Sequence, residues 1–121
     1  MNIDGFFNEN DRAIYEKEFH DWLPEKIFDS HVHVFDETNF PIGRSLPEKH
    51  PSHKFSGIFT LEQCLEIVDI ILPNQAFSMN CFGSPNVDAD LEAASKYTGK
   101  ISNNKNVGSM ATPARSVRCN N

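Results

Sequence analysis

The stretch that most constrains this chain is Ile27-Phe28-Asp29-Ser30-His31-Val32-His33-Val34-Phe35. Its aromatic and β-branched residues favour a strand. Side chains at i, i+2 and i+4 of a strand share a face, which aligns Asp29, His31 and His33. Apolar residues fall on both faces, with Ile27 and Phe35 sharing the polar one. Such a strand is expected to be covered on both sides, as in a parallel sheet. Imidazoles at this spacing start ~6–7 Å apart at the backbone and can lean towards one ion. Zinc takes imidazole nitrogen at ~2.0–2.1 Å, so His31 and His33 are candidate metal ligands. The plain alternative is a pair of partly buried histidines satisfied by backbone groups or water.

The rest of the chain reads as a β/α alternation. Residues 8–23 predict a helix capped by Asn8 or Asn10, with Tyr15, Phe19, Trp22 and Leu23 as its apolar stripe and Pro24 as its stop. A strand over 27–34 follows, then a long irregular stretch, 36–58, rich in proline and glycine. Arg44 and Lys54 there could meet a substrate carboxylate, though solvated charges are the simpler reading. His50 and His53 make a poor ligand pair, because Pro51 and Ser52 favour a turn over the helix that an i, i+3 pair needs. Thr60 and Gln63 form a capping box for a helix over 61–72, ended by Pro73. A strand over 76–82, a helix over 88–98 capped by Asn86 or Asp88 and ended at Gly99, and a strand over 107–112 complete the pattern. This order predicts a parallel sheet with crossover helices.

The segment from Phe28 to Phe35, with its Asp-x-His-x-His core, resembles the first-strand motif of the amidohydrolase superfamily, in the amidohydrolase-related branch of metal-dependent (β/α)₈-barrel hydrolases. The resemblance implies that His31 and His33 are metal ligands, zinc first, with Asp29 behind them holding a ligand or loop backbone. It implies an α/β fold made of the first three β/α units of an incomplete TIM barrel, preceded by an N-terminal helix. Residues 1–26 would then be a helical extension over the bottom of the barrel, 27–113 the β/α units, and 114–121 an irregular tail. The chain's 121 residues fall short of the ~250 such a barrel typically takes. A fragment of a larger enzyme is therefore expected, inactive alone, with the general base on strands outside it and no catalytic residue assigned within it. In the parent, metal-activated water would hydrolyse, or a related reaction decarboxylate, a small organic substrate. The contrasting expectation is a small non-catalytic α/β protein acting in protein association.

Composition narrows the partners. A net charge of −6 offers no basic surface for nucleic acid or anionic lipid. No apolar run reaches the ~18 residues of a membrane span, and the N-terminus lacks signal-peptide character. Cys64, Cys81 and Cys119 form no paired motif, so free thiols and a cytoplasmic setting are expected. Cys64 and Cys81 read as small buried hydrophobes. An open third strand would leave an edge through which copies could self-associate.

Overall fold

The computed structural model describes residues 7–40, 49, 58–84 and 89–107. The first helix, α1 (Glu9–Ile14), starts at Asn8, whose Oδ1 accepts from the N–H groups of Asn10 and Asp11 while Asp11 Oδ2 accepts from Asn8 N–H. This is a reciprocal capping box. The helix then widens into a π-helical turn, Tyr15–Phe19. Of the predicted stripe, Tyr15 is buried, but Phe19 is 43% and Trp22 76% exposed. Strand β1 (Lys26–His33) follows, then a single 3₁₀ turn at Glu37–Asn39. Most of the expected long loop, including Arg44, His50, His53 and Lys54, lies outside the described residues. Its two ends meet in an antiparallel bridge between Phe35 and Phe59.

Helix α2 (Leu61–Ile71) carries the predicted capping box, with Thr60 Oγ1 accepting from Gln63 N–H and Gln63 Oε1 from Thr60 N–H. It leads to β2 (Ala76–Phe82), which pairs with β1 in parallel. Helix α3 (Leu91–Ile101) is capped by Asp90, not Asn86 or Asp88, and runs through Gly99 instead of ending there. Asp90 Oδ1 accepts from both Glu92 and Ala93 N–H. Burial of Ile101 outweighs the ~1 kcal/mol that glycine costs inside a helix.

The core gathers Val34, Leu61 and Cys64 of α2, Met79 and Cys81 of β2, Tyr97 and Ile101 of α3, and Val107. Cys64 and Cys81 are free, buried thiols, filled-space residues of this core. Among the described residues no helix is long and apolar enough to cross a membrane.

Two expectations are overturned. The described residues form a small α/β fold of three helices and a two-stranded parallel sheet, and no units of a TIM barrel are evident. Of the expected third strand the described residues include Val107, bridged in parallel to Met79; the rest of that expectation, residues 108–112, lies outside them. At that bridge Met79 N–H donates to Asn106 C=O at 2.8 Å. Nor, among the described residues, is β1 covered on both faces. The apolar groups of α2 and α3 collect on the side of Met79 and Cys81, leaving Phe28 on the other side 59% exposed. With one face open to water, the sheet is not the doubly covered layer that a barrel strand requires.

Candidate metal centre

The sheet places the two histidines at the C-terminal end of β1, beside the end of β2. In register, Asp29 stands opposite Met79 and Val32 opposite Cys81, so Ser30 and His31 together face Asn80 alone. This extra residue is a β-bulge, a device that re-aims side chains and recurs beside functional sites. It breaks the strict alternation expected from the sequence. Asp29 falls in the phase of Ile27 and Met79, whereas His33 pairs with Phe82 on the open face. The Asp29 carboxylate turns back on the bulge, its Oδ1 accepting from His31 N–H at 2.9 Å. It therefore holds loosened backbone rather than an imidazole.

Beyond the bulge the imidazoles converge. His31 Nε2 lies 3.0 Å from His33 Nε2, and the ring centroids stand 4.9 Å apart. Both rings also lie near Phe82, at 4.9 Å for His31 and 6.3 Å for His33. His33 Nδ1 is 2.8 Å from the carbonyl oxygen of Gly83. A carbonyl only accepts, so Nδ1 carries the proton and donates it there. In the neutral ring His33 Nε2 is then a lone-pair acceptor, and the short contact is filled by His31 Nε2–H donating to it. Fixing a ligand's tautomer through its other nitrogen is the usual support for a metal-bound histidine.

The spacing suits a shared ion. Two nitrogens bound at ~2.0–2.1 Å at the tetrahedral angle stand ~3.3–3.4 Å apart, so a few tenths of an ångström of opening would admit zinc. Among the described residues, however, no group of three or more His, Cys, Asp or Glu is placed to hold a metal. The pair supplies two donors where a catalytic zinc usually takes three.

Gly83 is a supporting residue that the sequence did not flag as one. A Cβ built on it would lie 2.6 Å from Ala94 Cβ. The missing side chain lets the end of β2 approach α3 while its carbonyl faces His33. The thiols lie on the other side of the sheet. Burial first, then the negative charge of Asp29, pushes Cys64 from 9.0 up to about 11. Cys81 rises likewise to about 11 through burial, Cys64 and Asp29. Thiols held this strongly protonated are poor nucleophiles and poor metal ligands near neutrality.

Compared with protein-family models, curated proteins and solved structures, the chain matches none of them.

Proposed function

We propose that this protein binds a divalent metal ion, zinc first, through His31 Nε2 and His33 Nε2, and serves metal-dependent hydrolysis of a small organic substrate. The observation that carries the reading is the convergence of the two Nε2 atoms at 3.0 Å, with His33 Nδ1 tied to Gly83. The likeness of the Asp-x-His-x-His strand to the amidohydrolase-related enzymes supports the choice of hydrolysis. A bound zinc would supply acidified water and polarise a carbonyl. The protein's own part is to orient the rings: the bulge turns His31 to the face of His33, Asp29 holds its backbone, and Gly83 fixes the His33 tautomer. With two donors in place, turnover requires at least one further ligand from outside this pair. Free, unbridged Cys64 and Cys81 are in keeping with a cytoplasmic setting.

Zinc titration of chelator-cleared chain, read by calorimetry and elemental analysis, tests the reading. One ion per chain is expected, lost in the His31→Ala, His33→Ala double variant. Affinity should fall with pH as protons compete for imidazole. Full stoichiometry in the double variant would sink the assignment.

A second reading, protein association without catalysis, is favoured by the exposed Phe19 and Trp22, whose rings stand 6.5 Å apart, since apolar side chains grouped at a surface mark interaction sites. Sedimentation separates the two: self-association that is independent of His31, His33 and zinc belongs to the second reading.

A further inference from the structure

At the other end of the sheet from the histidines, the N-terminal helical segment and the end of α2 enclose a cavity of about 410 Å³. That volume is within the ~300–1,000 Å³ typical of small-molecule sites. Ile71 and Leu72 form one wall, and Phe7, Tyr15 and Phe19 bring three aromatic rings to it. The π-helical turn Tyr15–Phe19 builds part of this lining, and such interruptions of an α-helix recur at functional sites. The Tyr15 hydroxyl is already engaged, donating to Gln75 Oε1 at 2.7 Å and accepting from Asn74 Nδ2 at 3.4 Å. What Tyr15 presents to the cavity is therefore its ring.

One lining residue is charged, Asp11. Its Oδ2 accepts from Asn8 N–H at 2.9 Å, and among the described residues no hydrogen bond engages its Oδ1. Aromatic faces combined with a carboxylate are the chemistry that recognises organic cations. Beside the cavity, the Arg12 guanidinium sits 5.4 Å from the centroid of the Phe7 ring, which leaves Tyr15 and Phe19 as the rings for a ligand's head. An anion would meet the Asp11 charge, and a neutral ligand would gain nothing from it.

We propose that this cavity binds a small organic ammonium ion, its cationic head against Asp11 and the rings of Tyr15 and Phe19, its apolar body against Ile71 and Leu72. Lined by Ile14 at 51% and Phe19 at 43% exposure, the cavity opens to solvent, so the ligand enters without unfolding the helix. This site is independent of the histidine pair and of the reading built on it.

Trp22, the chain's one tryptophan, lies 6.5 Å from Phe19 in an edge-to-face contact and reports on the cavity by fluorescence. The full chain is titrated with benzyltrimethylammonium and, separately, with 3-phenylpropionate. A saturable change is expected with the cation, and binding of the anion weaker by about tenfold or more. Because a chain of net charge −6 attracts cations non-specifically, Asp11→Asn is the deciding variant. It keeps an oxygen for the Asn8 N–H and removes the local charge, and should cut the cation's advantage to within about threefold. Phe19→Leu, with helicity checked by circular dichroism, should weaken the cation by several-fold while leaving the anion unchanged. Equal affinity for the two ions, no saturable change up to about 10 mM, or a preference that survives Asp11→Asn would each overturn the proposal.

Discussion

The chemistry at the histidine pair depends on one proton and one missing methyl group. The proton on His33 Nδ1 is fixed by the Gly83 carbonyl, which frees His33 Nε2 to accept. The missing methyl is on Gly83, where a Cβ would come within 2.6 Å of Ala94 Cβ. Gly83→Ala is therefore expected to push β2 and α3 apart, at a cost of about 1–3 kcal/mol, as overpacking does. The same shift moves the carbonyl from His33, and on the proposed metal-binding reading the loss of such a supporting contact should lower zinc affinity ~10–100-fold. Urea denaturation and zinc titration of Gly83→Ala read the two effects. Combining it with Ala94→Gly restores the space and should recover zinc affinity beyond what Ala94→Gly alone shows. A Gly83→Ala chain as stable as the original, with its zinc binding intact, would show that the contact yields at no cost.

Helix α3 supplies the clearest test at the level of elements. Its Gly99 sits inside the helix, and a Cβ there would meet nothing within 4 Å. Gly99→Ala should stabilise the chain by about 0.5–1 kcal/mol, through the lower entropy of the unfolded state and better helix propensity. An unchanged or lower urea midpoint would mean that Gly99 serves a contact outside the described residues. Gly99 also shows where the sequence was legible and where it was not. The Thr60–Gln63 capping box acts within four residues, so local spacing revealed it, and the same local signals narrowed the first cap to Asn8 or Asn10. The end of α3 is decided by burial of Ile101, and its start falls at Asp90, whose extended backbone lets its side chain accept from Glu92 and Ala93 N–H. Those are tertiary choices, invisible to spacing. The histidine pair was readable as neighbours along a strand. The bulge was not, because it arises from pairing with β2, and it is what takes Asp29 out of the histidines' phase. The stripe of the first helix was readable as apolar, but not that Phe19 and Trp22 would remain at the surface. The barrel expectation failed for the same kind of reason. A first-strand motif constrains one strand, while closure depends on strands that must pair beyond it.

At the scale of the whole molecule, one core joins α2, β2 and α3, and its polarity can be tested through protons. Cys64 Sγ lies 3.9 Å from Met79 Sδ, and both Cys64 and Cys81 are about 5% exposed or less. Their thiols are raised from 9.0 to about 11, with burial as the first cause. Tyr97, whose hydroxyl oxygen accepts from Leu61 N–H at 2.9 Å, is raised above 10.0 for the same first cause. Each of these acids keeps its proton longer in the folded chain than in the unfolded one. Between pH 9 and 11 the unfolded state therefore binds fewer protons, and stability falls as pH rises. The contribution is complete below pH 9 and is lost as pH climbs through about 11, with an upper bound of about 5 kcal/mol for the two thiols together, at 1.36 kcal/mol per unit. Urea midpoints measured from pH 8 to 11 should be level at first and then decline. Thiolate ultraviolet absorbance of the folded chain should rise well above pH 9. In a Cys64→Ala, Cys81→Ala variant the midpoint starts lower, because cavities are left in the core, but its decline with pH should be shallower. Thiols that titrate in the folded chain at their ordinary value, or a decline undiminished in the double variant, would mean that water reaches this core and that α2 does not seal it against β2.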